Sequence, residues 1–261
     1  MIRRIDLNSD LGEGFGRWRA GDDAGLLGVV TSANIACGFH AGGPEEMERA
    51  MRQAVAGGIG IGAHPGFDDL RHFGRRRLPI SPEAAGRMVA YQFGAARGMA
   101  ALAGGAVRHL KLHGALSNMA AEDAALARAC FEAALRIDPE VIVVILPGTR
   151  MMEVAGDLGC RYACEIFADR AYEDDATLVD RRLPGAVLHD PEAIARRVLA
   201  MLEAGAVLSR NGRAIPVPID TVCVHGDTPG ALDVARRLRD RLEEEGVTLA
   251  PFEGRRGAPR G

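Results

Sequence analysis

The sequence predicts an α/β protein in which parallel strands and crossover helices form a closed or nearly closed β/α barrel. Short apolar runs alternate with longer segments of helical period. Seven or eight such runs fit into roughly 250 residues, the usual length of a β/α barrel. An open, doubly wound sheet is the competing topology. No repeat or linker divides the chain, so we predict one domain, residues 1–253, and a disordered tail, 254–261.

The predicted strands are short and apolar, and helical segments separate them. Strands are predicted at 3–7, 29–35, 59–63, 109–112, 141–146, 161–166 and 221–224, with an eighth candidate at 247–251. Helices are predicted at 44–56, 81–103, 121–137, 150–158, 191–204 and 231–245. Two of these helices begin with a capping side chain before proline, at Ser81 and Asp190. Residues 167–189 have little regular period, which is typical of a long functional loop or a small hairpin.

The composition excludes several classes of protein. The formal net charge of −3 does not favour a nucleic-acid-binding surface. No apolar run approaches the ~18 residues of a membrane span, and no apolar stretch behind a basic start resembles a signal peptide. The five cysteines are scattered and odd in number, which fits a reducing compartment. We therefore expect a cytoplasmic protein that acts on a small molecule and binds neither nucleic acid nor membranes.

Histidines cluster at the ends of the predicted strands, where a β/α barrel builds its active site. Four of the seven histidines lie at four separate strand ends, each with a glycine within two residues. Buried ionisable groups are costly unless they are paired or functional, so packing alone does not explain this pattern. The four are His40, His64, His113 and His225, whereas His72, His109 and His189 are assigned no role.

The same strand ends carry carboxylates, amides and a lysine, a set that suits hydrolysis of a carbonyl compound by acid–base catalysis or with a metal ion. The sequence contains no phosphate loop, dinucleotide-binding motif or nucleophile elbow. We predict catalytic roles for Asp10, His40, His64, Lys111, His113, Glu165, Asp169 and His225. We predict substrate-binding roles for Asp6, Asn8, Asn34, Asn118, Arg170 and Asp227.

Three polar residues alternate along the end of the first strand. Because side chains in a strand alternate with period two, Asp6, Asn8 and Asp10 are expected on one face, toward the barrel interior. We expect Asp10 to lie nearest the substrate and Asp6 to lie deeper, paired with a cation. Lys111 is the favoured partner for Asp6.

Six segments in this order resemble the LamB/YcsF family: residues 6–13, 32–42, 63–67, 111–118, 165–182 and 222–227. The resemblance covers about residues 5–252 and implies the seven-stranded β/α barrel of the glycoside hydrolase/deacetylase superfamily. It also implies one subunit of an ATP-dependent 5-oxoprolinase, which hydrolyses the lactam 5-oxo-L-proline (pyroglutamate) to L-glutamate. This activity implies a heteromeric complex with 5-oxoprolinase subunits B and C. The complex, rather than this chain, would use the ATP, because the sequence has no phosphate loop.

The resemblance also bears on a divalent metal ion. In that superfamily, one aspartate and two histidines from early strand ends commonly hold a metal. Asp10, His40 and His64 are the corresponding candidates in this sequence. We expect the nearest ring nitrogens of His40 and His64 to lie within roughly 8 Å of each other, close enough to share a ligand.

Lys111 is the single lysine among 32 basic residues, the other 31 being arginine. A lone lysine indicates a position that needs a compact ammonium group rather than a planar guanidinium. One interpretation is that Lys111 polarises the lactam carbonyl or holds a phosphate. The alternative is a structural ion pair with Asp6 or Glu165.

The sequence departs from the family pattern at four positions. Gly43 stands where an aspartate is usual, Leu112 and Ser117 replace proline and tyrosine, and Ala176 replaces glycine. Two other functions therefore stay open. One is a metal-dependent hydrolase of deacetylase or amidase type, and the other is a binding or assembly subunit with a degenerate site.

Overall fold

The structure, a computed structural model, describes residues 2–228 and 230–257, which contain eleven strands, nine of them in one sheet. The strands are β1 (Arg4–Leu11), β2 (Ser32–Ala36), β3 (Gly60–His64), β4 (Val107–Lys111), β5 (Ile142–Ile145), β6 (Arg161–Phe167), β7 (Ala206–Leu208), β8 (Ala214–Pro216), β9 (Thr221–His225), β10 (Thr248–Leu249) and β11 (Arg255–Arg256).

Seven of these strands close into a parallel barrel. β1 to β6 pair in chain order, and β9 closes the ring because it pairs with both β6 and β1. This arrangement confirms the predicted seven-stranded β/α barrel and excludes the open, doubly wound sheet. The eighth strand candidate, β10, pairs with the first residues of β1 outside the ring.

The described residues form eight α-helices, none of which has the length and apolar character needed to cross a bilayer. The helices are α1 (Asp23–Leu27), α2 (Pro44–Ala56), α3 (Pro82–Leu102), α4 (Gly114–Glu122), α5 (Ala124–Ile137), α6 (Arg150–Asp157), α7 (Pro191–Ala204) and α8 (Ala231–Glu244).

The helix predicted at 121–137 corresponds to α5, which begins at Ala124, and residues 121 and 122 end a separate helix, α4. Asp123 separates them in an extended conformation, and its side chain accepts hydrogen bonds from the backbone N–H groups of Ala125 and Leu126. An aspartate at a helix start satisfies N–H groups that have no partner within the helix, so Asp123 begins a new helix rather than continuing the old one. α1 and most of α4 were not predicted.

The two irregular segments follow expectation only in part. Residues 167–189 form the long loop that was one of the two expectations, with isolated bridges such as the one between Arg170 and Val187, whereas the regular hairpin of β7 and β8 follows α7. In the predicted tail, β11 pairs antiparallel with β6. The last residues of that tail, 258–261, lie outside the described residues.

The barrel interior is polar along one line of β1. Asp6, Asn8 and Asp10 bond to side chains of other barrel strands, whereas Leu7 and Leu11 pack in the apolar core. The alternation predicted from period two is therefore confirmed. It places a row of polar side chains inside the barrel, toward the C-terminal ends of the strands.

Candidate active site

Asp10 lies near the end of β1 and is surrounded by donors. Its Oδ1 atom accepts hydrogen bonds from Asn34 Nδ2 at 2.8 Å and from Lys111 Nζ at 2.9 Å, and its Oδ2 atom lies 3.2 Å from His64 Nε2. Burial by itself raises the pKa of the Asp10 carboxyl, but His64 and Lys111 hold that pKa well below its usual value. Asp10 is therefore a fixed negative charge at the barrel mouth.

Lys111 ends β4 with its ammonium group enclosed by three polar atoms. Lys111 Nζ lies 2.9 Å from Asp10 Oδ1, 2.9 Å from Glu165 Oε1 and 3.1 Å from Cys223 Sγ. Burial lowers the pKa of Lys111, but the negative charge of Asp10 outweighs it, and the pKa lies well above its usual value. The lysine is therefore a buried, permanently charged ammonium between two carboxylates.

The predicted pair of Asp6 with Lys111 is wrong. Asp6 lies deeper in the barrel, as expected, but it accepts hydrogen bonds from the hydroxyl groups of Thr31, Ser32 and Thr221 rather than from a cation. Burial raises the pKa of Asp6 to about 6. The ammonium of Lys111 is instead paired with Asp10 and Glu165.

His64 and His113 present ring nitrogens to the same point. His64 Nδ1 lies 2.8 Å from the Lys111 carbonyl oxygen, and His113 Nε2 lies 2.8 Å from the Phe73 carbonyl oxygen. A carbonyl oxygen only accepts, so both of these nitrogens donate. The remaining nitrogens, His64 Nε2 and His113 Nδ1, lie 3.1 Å apart. In neutral rings both would carry lone pairs, so this contact requires one cation, either a proton or a metal ion.

His40 and Glu13 complete this group. His40 Nε2 lies 3.3 Å from Glu13 Oε1, and its ring stacks on His113 with centroids 3.7 Å apart. Burial lowers the pKa of His40 and of His113 well below the usual value, which opposes a proton on either ring. Burial, reinforced by the charge of Asp10, raises the pKa of Glu13 well above its usual value.

One ligand atom from each of four residues, Glu13, His40, His64 and His113, lies within 4.8 Å of the others, so these residues can hold a metal ion. The expected closeness of His40 and His64 is therefore present, but the expected ligand set is only partly so. Asp10 stands beside the four as a neighbour of His64. Glu13 was not predicted, although it closely follows β1 within the segment 6–13.

Two glycines leave room for these stacked rings. A methyl group at Gly66 would lie 2.8 Å from His40 Nδ1 and 3.1 Å from His113 Cβ. One at Gly74 would lie 2.7 Å from His40 Cβ and 2.9 Å from His113 Cδ2. The glycine near His64 in sequence, Gly66, therefore serves the packing of two other histidines.

Two amide side chains, Asn8 and Asn34, connect the charged groups. Asn8 donates from Nδ2 to Glu165 Oε1 at 3.1 Å, and its Oδ1 accepts from Asn34 Nδ2 at 2.7 Å. Asn34 Oδ1 lies 2.8 Å from His109 Nε2. Burial lowers the pKa of His109 to about 3, so this ring is neutral and donates to Asn34. His109 was assigned no role, yet it fixes an amide that bonds Asp10.

The space for His109 comes from the neighbouring strand. Gly62 lies opposite His109 in the β3–β4 pairing, and a methyl group there would lie 2.0 Å from His109 Nε2. A side chain at position 62 is therefore incompatible with this imidazole position.

His225 and Asp169 form a second pair at the mouth. His225 Nδ1 donates to both carboxylate oxygens of Asp169, at 2.9 and 3.0 Å, and its ring stacks on Phe167 with centroids 5.0 Å apart. Burial raises the pKa of Asp169, but His225 outweighs it and the pKa is lowered. The carboxylate therefore fixes the tautomer and the orientation of the His225 ring.

Among the described residues, the other predicted substrate-binding side chains form no hydrogen bond with this cluster. Asp227 forms an ion pair with Arg75 at 2.7 Å. Arg170 is buried and donates to the backbone oxygens of Ala186 and Val179. Asn118 is exposed on α4. The structure therefore brings together the predicted catalytic residues, but not Asn118 or the guanidinium of Arg170.

The departures from the family pattern lie at different places. Gly43 directly precedes α2, where an added Cβ would lie 3.2 Å from Glu46 Oε2. Leu112 is buried, and Ser117 is half-buried on α4. Ala176 has a φ angle of 68°, a left-handed conformation that glycine adopts more easily, so the usual glycine there has a conformational reason.

Comparisons with known proteins agree with this architecture. The sequence profile described as LamB/YcsF family matches residues 5–257. The chain is 52% identical over 252 residues to the 5-oxoprolinase A subunit of Ruegeria pomeroyi, and the match covers 97% of this chain and 100% of that protein. It is 53% identical over 253 residues to a Rhodopseudomonas palustris protein of the same name, with coverage of 97% and 100%.

A solved structure is similar over the same length. The lactam utilization protein of Thermus thermophilus is 42% identical, with a TM-score of 0.89, and the match covers 95% of this chain and 100% of that chain. The profile match and these full-length relatives agree with one another. The chain therefore belongs to the LamB/YcsF family.

Proposed function

We propose that this chain is the A subunit of an ATP-dependent 5-oxoprolinase, which hydrolyses the lactam of 5-oxo-L-proline to L-glutamate together with subunits B and C. The observation that carries the proposal is the convergence of strand-end charges into one buried cluster, in a chain that matches relatives of that name over 97% of its length. Water adds to the lactam carbonyl carbon, the ring C–N bond breaks, and the ring nitrogen takes up a proton.

ATP cleavage belongs to the complex in this proposal, because the sequence has no phosphate loop. The compartment that we propose is the cytoplasm. All five cysteines are free thiols, which fits a reducing compartment.

A divalent metal ion fits the group formed by Glu13, His40, His64 and His113. Imidazole nitrogens and a carboxylate oxygen are ligands that zinc and similar ions accept. The facing nitrogens of His64 and His113 need a cation, and a metal would keep Glu13 ionised despite its burial. When bound, such an ion supplies Lewis-acid polarisation of the lactam carbonyl.

Lys111 and Asp10 supply fixed charge beside that group. The ammonium of Lys111 is paired with Asp10 and Glu165, so it is oriented and stays charged. Negative charge that develops on the carbonyl oxygen during hydrolysis is stabilised by a preorganised ammonium in a buried site.

His225 is the proposed proton carrier. Its Nδ1–H is held by Asp169, which leaves Nε2 to accept a proton from water and to deliver one to the leaving nitrogen. The paired carboxylate stabilises the imidazolium formed in between.

The proposal is tested by co-expression with subunits B and C and an assay of glutamate release from 5-oxo-L-proline, with and without ATP. We expect ATP-dependent release that His64→Ala abolishes. His72→Ala is the matched control, because His72 is partly exposed and bonds Asp69 away from the cluster. A complex that assembles but releases no glutamate with ATP overturns the proposal.

Metal-assisted amide hydrolysis without ATP is the second candidate. The histidine and glutamate group favours it, because the same ligands could serve an autonomous metallohydrolase. The chain alone, supplied with Zn²⁺ or Mn²⁺ and no nucleotide, would then hydrolyse simple amides or lactams. Turnover that strictly requires ATP and the partner subunits excludes this candidate.

A further inference from the structure

Arg181 lies at the rim of the candidate active site, on the long segment between β6 and α7. Resting on the proposed function, we propose that Arg181 binds the carboxylate of the lactam substrate and thereby orients the lactam carbonyl toward Lys111 and the histidines.

A cavity of about 380 Å³ lies beside the barrel mouth. Arg181 lines it together with His189, Asp227 and Thr228. Asp227 is already bonded to Arg75. Arg181 is only half-exposed. Within residues 2–228 and 230–257 its guanidinium forms no hydrogen bond or ion pair, whereas the neighbouring Arg182 pairs with Asp180 at 2.5 Å.

The electrostatics of the rim favour an anion. Arg75 and Arg181 bring two positive charges, and the one negative charge of Asp227 is paired with Arg75. The charges of Asp169 and Asp10 act on Arg181 more weakly. Burial, reinforced by the charge of Arg75, lowers the pKa of Arg181. A partly buried guanidinium with a like charge nearby is costly without an anionic partner. A bound carboxylate would offset this cost and accept two parallel N–H donors from the guanidinium.

The segment that carries Arg181 is held in place on both sides. Arg170 donates to the Val179 carbonyl oxygen at 2.7 Å and to the Ala186 carbonyl oxygen at 3.3 Å. These two residues flank Arg181 in the chain, so the Arg170 guanidinium ties the two arms of the loop together. Arg170 is thus a positioning residue, and Arg181 is the guanidinium that the same segment brings to the cavity.

The chemistry of 5-oxoproline matches two separate subsites. Its carboxylate sits on the ring carbon on one side of the nitrogen, and the lactam carbonyl sits on the other side. The rim around Arg181 suits the carboxylate, and the fixed charge of Lys111 acts on the carbonyl oxygen without a direct hydrogen bond, because its three N–H donors are bonded to Asp10, Glu165 and Cys223. A substrate held at both ends presents its carbonyl in one orientation.

The test compares 5-oxo-L-proline with 2-pyrrolidinone, the same lactam without a carboxylate. Binding of each to the full chain is measured by calorimetry, and kcat and KM are measured in the complex with B and C. We expect Arg181→Ala to raise the KM for 5-oxo-L-proline at least tenfold and to weaken its binding as much. Binding of 2-pyrrolidinone should not change. Arg181→Lys should restore part of the loss.

Arg182→Ala is the matched control, because Arg182 lies on the same loop, is exposed and pairs with Asp180. It should behave as the wild type. Unchanged KM and unchanged discrimination between the two lactams in Arg181→Ala would overturn the carboxylate role while leaving the proposed function intact. A wild-type complex without ATP-dependent turnover would refute the proposed function. Calorimetry then tests the Arg181 role separately. That role is refuted if the wild-type chain does not prefer the carboxylate-bearing lactam.

Discussion

His64 Nε2 and His113 Nδ1 lie 3.1 Å apart, and each ring already donates its other N–H to a backbone carbonyl oxygen. Two nitrogen lone pairs at this distance repel unless a cation lies with them. A proton shared by the pair would relieve this repulsion, and so would a metal ion that also contacts His40 and Glu13. The two possibilities are chemically distinct and can be separated.

The first prediction is that the purified chain binds about one equivalent of Zn²⁺ or Mn²⁺. Because the ion binds only the folded state, it should add about 2.7 kcal/mol to the free energy of unfolding at a free concentration 100 times Kd. The melting temperature should rise accordingly. Elemental analysis and thermal unfolding check this. His113→Ala should lose the ion, whereas His72→Ala should keep it. A chain that binds neither metal at millimolar concentration would contradict the metal assignment.

The second prediction concerns the glycine that accommodates the stacked rings. Gly66→Ala places a methyl group 2.8 Å from His40 Nδ1, so the ring must move. We expect a loss of about 1–3 kcal/mol of stability from overpacking and at least a tenfold loss of turnover. Gly98→Ala is the control, since a methyl group at this exposed position in α3 meets nothing within 4 Å. Gly98→Ala should be neutral or slightly stabilising.

The barrel could be predicted because it follows from local patterns. Apolar runs and capped helices mark the βα units, and parallel strands deliver their ends to one face. This is why four histidines far apart in the chain were expected together, and why His40, His64 and His113 contact one another. The alternation of Asp6, Asn8 and Asp10 depended only on strand geometry.

The pairing of charges could not be predicted because it depends on register between strands. Asp10 lies level with Asn34 of β2 and His225 of β9, a stagger that the local sequence does not encode. Lys111 consequently reaches Asp10 and not Asp6. The role of His109 depends on register as well, since it needs Gly62 opposite it on β3.

The third prediction is a pH dependence of stability that arises at Asp6. Burial raises the pKa of this carboxyl from 3.8 to about 6 in the folded state. The folded state therefore holds its proton more tightly than the unfolded chain does. The associated stability is fully present below pH 3.8 and is lost as the pH rises through about 6, by about 3 kcal/mol.

Asp6→Asn removes this titration and keeps the shape of the side chain. The stability of Asp6→Asn relative to the wild type should therefore increase between pH 4 and pH 7 and then level off. Urea unfolding at several pH values measures the difference, and Asp22→Asn, at an exposed helix start, is the comparison. A difference between Asp6→Asn and wild type that is independent of pH over this range would contradict the raised pKa.

The last prediction is that Lys111→Arg folds but loses at least about tenfold in turnover in the assembled complex, a barrier change of ~1.4 kcal/mol. The ammonium is enclosed by Asp10, Glu165 and Cys223 at 2.9 to 3.1 Å, so a broader guanidinium cannot keep all three contacts.

The ion pair with Glu165 is also what a structural lysine would form. Turnover and melting temperature together separate the two roles: a structural lysine predicts near-wild-type turnover wherever the variant is stably folded. A catalytic lysine predicts a fall in kcat even where the variant is stably folded, although arginine preserves the charge between the two carboxylates. Normal kcat in a folded Lys111→Arg complex would therefore leave Lys111 as a buried ion pair and nothing more.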